Sequence, residues 1–146
     1  MDLLLVPTYN RPEFLHLCLE RILSAPGSDT KDLWIAEDRH LSDRFHVDTA
    51  VQRETAEVVA RVKAQRNVRH IQRIPHNHFN NSFNVLEGYK EALVHGYEYV
   101  YLIEDDVMVL PDFFFLNGTT ALKKNLCLCR APAITINHLM LLTCWI

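Results

Sequence analysis

Short apolar runs and helical periodicities alternate along the chain as far as Ile103. Leu3 to Val6 is an apolar run closed by "PTYNRP", a turn signal in which Pro12 suits a helix start. Phe14, Cys18 and Ile22 then recur every four residues, as do Leu15, Leu19 and Leu23, predicting an amphipathic helix that stops near "SAPGSD". "LWIA" at 33–36 reads as a second short strand, ending in Glu37 and Asp38. Val47, Val51, Val58, Val59 and Val62 mark a second helix, with Arg61, Lys63 and Arg66 on its wet side. "VRHIQRI" at 68–74 is a weaker third strand. Phe79, Phe83, Leu86 and Leu93 trace a third helix, with Gly96 where a C-terminal cap belongs. "YEYVYLI" at 97–103, rich in aromatic and β-branched residues, predicts the strongest strand of all.

This alternation predicts an α/β fold, a mostly parallel sheet with helices on both faces. In such a sheet the C-terminal ends of all strands share one edge, and open α/β sheets bind their ligands there. Three chemically loaded stretches fall on that edge: "PTYNR", "EDR" and "EDD". Their shared position carries more information than any one of them.

The third stretch poses the sharpest question. Glu104, Asp105 and Asp106 stand between "YVYLI" and the apolar run Val107 to Leu110. Acids are poor strand formers and costly to bury alone. Adjacent carboxylates also repel, so something positive normally holds them ionised. A hard cation such as Mn²⁺ or Mg²⁺ takes one or two carboxylates together with the phosphates of a substrate. The plain alternative is a solvated turn whose acids face water, which the apolar flanks disfavour.

Composition narrows the setting. The 146 residues amount to one domain, 49% apolar and 23% charged, as in ordinary globular proteins. A formal net charge of −3 gives no pull towards nucleic acid or an anionic membrane. Cys18, Cys127, Cys129 and Cys144 are too few and too uneven for a disulfide framework, and Cys127-x-Cys129 lacks zinc-site spacing. "MDLLLVPTYN" is neither a signal peptide nor a membrane anchor, so a cytoplasmic location is expected.

Together the motifs resemble a known family. "LVPTYNRPEFLHLCLERIL" looks like the opening of nucleotide-sugar-dependent glycosyltransferases of the GT-A (Rossmann-like) fold, family 2 and its relatives. "WIAEDRH" resembles their second strand with its acid pair, and "YVYLIEDDVMVLPDFF" their Asp-x-Asp-type metal motif. The Glu-Asp-Asp form followed by a proline and "DFF" is nearest to N-acetylglucosaminyltransferase I-like enzymes. The resemblance covers residues 1–116 and implies a metal-dependent transfer of sugar from a nucleotide sugar, a UDP-sugar foremost, to a glycan or other hydroxyl acceptor. It implies that Tyr9 packs on the base, with Pro7, Thr8 and Arg11 lining the base and phosphate pocket. Asp38 would accept from the uracil N–H or a ribose hydroxyl, with Glu37 the less favoured acid; pairing of either with Arg39 or Arg44 is the plain alternative. Asp106 would ligate the metal, Asp105 would contact the ribose or a metal-bound water, and Glu104 would orient them. In "HNHFNNSFN", Asn81 and Asn84 are donor candidates near the diphosphate, weighed against helix capping by Asn80 or Asn81. His76 and His78 are metal-ligand types, but in a loop they are read as solvated.

The chain departs from the family at its end. The resemblance implies roughly a further hundred residues to build the acceptor site, more than one ordinary domain holds. That portion normally supplies the catalytic base, and no residue present here can be named for it. Residues 117–146 change character, with three of the four cysteines and little charge. They read as a divergent or truncated tail, or as a buried strand pair at Ala133 to Ile136 and Leu139 to Trp145, too interrupted to span a membrane. The expected fold is thus incomplete at its C-terminus. The alternative function is a non-catalytic, shortened nucleotide-binding module.

Overall fold

The computed structural model describes residues 1–38, 49–73 and 81–114. Its elements run β1 (Asp2–Thr8), α1 (Pro12–Ser24), β2 (Asp32–Asp38), α2 (Thr49–Lys63), β3 (Val68–Arg73), α3 (Asn81–Val94) and β4 (Tyr99–Leu102). The strands form one sheet in the order β3-β2-β1-β4, and every neighbouring pair is parallel. The fold is the expected α/β arrangement with helices on both faces. The expected tail, with Cys127, Cys129 and Cys144, lies outside the described residues.

Strand β1 is the spine. It pairs with β2 on one side and β4 on the other. Leu4 and Val6 pack with Leu15, Leu19 and Ile22 of α1 and Val58 and Val59 of α2. Leu3 and Leu5 face the other way, among Trp34, Tyr89 and Ala92. Burial on both faces is why the strand reads as a continuous apolar run rather than an alternation. Each such leucine contributes about 1.5–3 kcal/mol of burial.

Helix α1 starts where its sequence signals it. Pro12 occupies the first turn, and Arg11 is the N-cap with φ −135°, outside the helical region that a residue before proline avoids. The buried stripe is Pro12, Leu15, Cys18, Leu19 and Ile22, whereas Phe14 is 45% exposed. The four-residue spacing from Phe14 thus follows the helix but leaves its first residue off the buried face.

Helix α3 differs more from expectation. Leu86 and Leu93 are 59% and 70% exposed. The face against the sheet is instead Asn84, Gly88, Tyr89 and Ala92, a mixture of polar and small residues. Close approach explains the choice. A Cβ placed on Gly88 would lie 2.7 Å from Leu5 Cδ2, so any larger residue here would force the buried Leu5 side chain to shift. Gly96, with φ 78°, then closes α3. The Gly96 N–H donates to Leu93 O and the Tyr97 N–H to Ala92 O, the paired bonds of a Schellman cap.

Strand β4, expected to be the strongest, is the shortest of the described strands at four residues. Tyr97 is consumed by the α3 cap at one end, and the acids turn the chain away at the other. Ladder bonds from Glu98 N–H to Met1 O and from Ile103 N–H to Leu5 O bracket it. No helix among the described residues is long and apolar enough to cross a membrane.

The Gly88 contact gives a direct stability test. Gly88→Val should lower unfolding free energy by about 1–3 kcal/mol through overpacking against Leu5, outweighing the few tenths gained in helix propensity. Urea unfolding of the two proteins measures it, and an unchanged midpoint would contradict the close approach.

Candidate functional site

The strand order fixes where a site can form. The chain steps from β1 to β2 to β3 in one direction, then returns through α3 to place β4 on the other side of β1. The order therefore reverses between β1 and β4. Open α/β sheets bind ligands beyond the C-terminal strand ends at such a reversal. The residues leaving β1 there are Thr8, Tyr9, Asn10 and Arg11, and those leaving β4 are Glu104, Asp105 and Asp106.

The acids form a tight turn, the Val107 N–H donating to Glu104 O at 3.0 Å. Asp105 and Asp106 occupy its two central positions and have opposite fates. Asp105 is buried, 1% exposed, and Asp106 points outward with its side chain 43% exposed. After the turn Val109 and Phe114 return to the core, while Met108 and Leu110 do not. The run after the acids therefore alternates instead of being buried throughout.

Asp105 is held by three groups from the β1 exit. Thr8 Oγ1 donates to Oδ2 at 2.7 Å, Arg11 Nη2 donates to Oδ1 at 2.5 Å, and the Tyr9 backbone N–H adds a third bond. Arg11 also reaches Asp106, Nη1 to Oδ2 at 3.0 Å. The positive group that adjacent carboxylates require is thus supplied from within the chain. Burial nevertheless raises the Asp105 carboxyl above its ordinary range, outweighing Thr8, Arg11 and the Tyr9 amide, which lower it; the charge of Asp106 also raises it. Arg11 is itself 40% exposed, so solvent weakens its compensation.

Local sequence explains how Arg11 gets there. Asn10 takes φ 49°, a left-handed conformation that asparagine tolerates better than most residues. The Arg11 side chain does not cap α1, so its guanidinium is directed across to β4. Below the turn, Cys18 is buried and its thiol donates to Glu104 O at 3.6 Å. Burial first, then the charges of Asp105 and Asp106, push that thiol up to about 12, so it stays protonated.

The other sequence-derived residues divide by face. In a strand, successive side chains point to opposite sides. Glu37 falls on the α1 and α2 side, where His70 Nε2 lies 2.8 Å from Oε2 and Gln72 donates to the same oxygen at 3.0 Å. Asp38 is buried on the α3 side, in register with Arg73. Tyr9 is half-buried beside it, and burial together with the charge of Asp38 raises the Tyr9 hydroxyl. The edge thus brings Tyr9, Arg11, Asp38, Asp105 and Asp106 to one end of the sheet, with Pro7 and Thr8 buried in β1.

Two placements add to what the resemblance implies. The Thr8 hydroxyl and one bond from each terminal nitrogen of Arg11 go to the acids, and both oxygens of Asp105 accept bonds within the chain. Asn84, a candidate diphosphate donor, is buried: its amide donates to Ala36 O at 2.6 Å and its oxygen accepts from Arg73 Nη1 at 2.8 Å. Arg73 also pairs with Glu91 at 2.7 Å. This chain of bonds fixes the end of β2 against α3. The periodicity offered one signal for it, since Asn84 lies four residues before Gly88 on the same helical face. Arg39, Arg44, His76, His78 and Asn80 lie outside the described residues, as does the side chain of Asn81.

Among the described residues, no group of three or more His, Cys, Asp or Glu side chains is placed to hold a metal. What the turn offers is the outward carboxylate of Asp106 and the partly buried one of Glu104, beside the buried Asp105. That donor set fits a hard cation only when substrate oxygens complete the shell, as magnesium-type sites commonly arrange. A separate groove of about 250 Å³ between α1 and α2 is lined by His16, Leu19, Glu20, Val58, Arg61 and Val62. None of these residues stands at a strand end.

No family model and no curated protein sequence matches the chain. Among solved structures it is similar to S. aureus TarS. Residues 1–349 of TarS align with 78% of this chain at a TM-score of 0.59 and 16% identity. A second TarS structure aligns with 72% at a TM-score of 0.54 and 17% identity. The chain spans 30% and 16% of those two chains. At this identity the shared feature is the fold alone, a parallel α/β sheet with helices on both faces.

The Asp105 cluster predicts a distinctive pair of variants. Thr8→Val removes a donor to a buried carboxylate and should cost about 1–3 kcal/mol at pH 7. Asp105→Asn should be far milder, because its amide can donate to the Thr8 hydroxyl while its oxygen keeps Arg11. The raised carboxyl also sets a sign. Wild-type stability declines as pH rises from the ordinary aspartate range through the raised one, since the folded state holds the proton more tightly. Asp105→Asn lacks that loss, so its stability relative to wild type should increase with pH across that window. Thermal unfolding from pH 3 to 8 in chelator-treated buffer checks both; a neutral Thr8→Val or a pH-independent difference would contradict the cluster.

Proposed function

We propose that this chain is the nucleotide-sugar-binding part of a metal-dependent glycosyltransferase. The observation carrying this reading is the convergence of Tyr9, Arg11, Asp38 and Asp106 on one sheet edge across the β1/β4 reversal. The ends of β2 and β4 flank β1, so they stand on the order of 10 Å apart, two strand spacings. That is the length scale of a nucleoside diphosphate. Tyr9 would pack on the base, and Asp38 would accept from the uracil N–H or a ribose hydroxyl. Asp106 would be the carboxylate shared with Mn²⁺ or Mg²⁺ and the diphosphate. The bound cation would supply charge neutralisation for the departing nucleoside diphosphate.

The remaining residues serve these. Asp105 holds the turn and Arg11, and Glu104 closes the turn through its carbonyl. The acidic character of Glu104-Asp105-Asp106 with the following proline also carries the finer sequence resemblance to N-acetylglucosaminyltransferase I-like enzymes, and a uridine diphosphate sugar is the donor proposed. The acceptor would be a glycan or other hydroxyl compound. No described residue is assigned as the base that would deprotonate it.

Calorimetric titration of uridine diphosphate tests the reading. Wild type should bind only with Mn²⁺ or Mg²⁺ present. Asp106→Asn should lose the metal dependence and bind at least about tenfold more weakly, roughly 1.4 kcal/mol. Equal binding with and without Mn²⁺ in both proteins would show that the acids serve only the turn.

A further inference from the structure

We infer that Arg11 is a competing counter-cation for the metal carboxylate, so that a divalent ion is taken up as its complex with a diphosphate rather than alone. The inference rests on the proposed metal–diphosphate site and adds a mechanism for loading it.

Its basis is the fork of Arg11. One guanidinium nitrogen lies 2.5 Å from Asp105 Oδ1 and the other 3.0 Å from Asp106 Oδ2. The two arms differ in strength. Asp105 is buried and accepts three bonds, so its arm is an anchor. Asp106 and Arg11 are each about two-fifths exposed, and exposed ion pairs are weak and salt-screened. A cation and the outer arm of Arg11 thus seek the same carboxylate. A free divalent ion must displace that arm and leave the guanidinium facing a second positive charge. A diphosphate changes the balance, because it brings oxygens for the metal and a new anionic partner for the displaced nitrogen. Arginine suits this exchange, since its planar fork can hold Asp105 with one edge and turn the other to phosphate. Both steps are exchanges of non-covalent partners.

The outer arm makes Arg11 a positioning residue with a readout independent of sugar transfer. Free Mn²⁺ is measured by its electron paramagnetic resonance signal, titrated into wild type, Arg11→Gln and Arg11→Gln/Asp106→Asn without nucleotide. Wild type should bind Mn²⁺ weakly. Arg11→Gln should bind it about tenfold more tightly or better, the gain from removing one like charge at contact distance. The added Asp106→Asn should erase that gain. With uridine diphosphate present the order should invert, Arg11→Gln binding the metal–nucleotide complex more weakly than wild type. If Arg11→Gln fails to fold because Asp105 loses its charge partner, Arg11→Gln/Asp105→Asn removes both charges and carries the same Mn²⁺ expectation. Equal Mn²⁺ affinity in wild type and the Arg11 variant, or a gain that survives Asp106→Asn, would overturn the competition. Failure of wild type to bind uridine diphosphate with Mn²⁺ would instead refute the metal–diphosphate reading, which separates the two results.

Discussion

The carboxylate of Asp105 is the constraint around which this end of the molecule is arranged. A charge at 1% exposure requires partners, and among the described residues they come from one short segment, Thr8 to Arg11. Satisfying it welds the exit of β1 to the exit of β4 across roughly ninety-five positions of sequence. Hydrogen bonds to a charged group are worth about 1.5–3 kcal/mol each, but the burial that raises the Asp105 carboxyl offsets them, so the cluster fixes geometry more than it adds stability. It also fixes the direction of Asp106. One acid is sacrificed to the fold, and its neighbour is thereby held outward.

The sheet below supplies the rigidity. β1 is covered on both faces, α3 is drawn close by Gly88, and Asn84 with Arg73 pins the end of β2 to that helix. Because Glu37 and Asp38 project to opposite faces, only Asp38 shares the side of Tyr9, while Glu37 joins His70 and Gln72. A site set on strand ends inherits this stiffness more directly than one set in a long loop.

Much of the fold was legible because the signals were local. Leu3 to Val6, "LWIA" and the stripe of Leu15, Cys18, Leu19 and Ile22 reveal β1, β2 and α1 by run length and period. The strand-end location of Tyr9, Asp38 and Asp106 followed from parallel topology. The misread face of α3 shows where local signals stop. Its exposed Leu86 and Leu93 outweigh Gly88 in any hydrophobic count, yet how near the helix approaches Leu5 decides which face is buried. Likewise "EDD" shows that charge must be neutralised but not by what, because Arg11 lies 94 positions away from Asp105. Strand parity, applied to adjacent Glu37 and Asp38, would have separated those two acids from sequence alone.

In the proposed function, the β1, β2 and β4 ends make one metal–nucleotide site. Paramagnetic broadening by substoichiometric Mn²⁺ with uridine diphosphate, followed in the amide nitrogen–proton spectrum of the full chain, maps it directly. Signals of Tyr9, Arg11, Asp38, Asp105 and Asp106 should vanish first, while those of Lys31, Asn67 and Glu98 at the opposite end of the sheet persist. Preferential loss at that opposite end, or uniform loss with no focus, would contradict it.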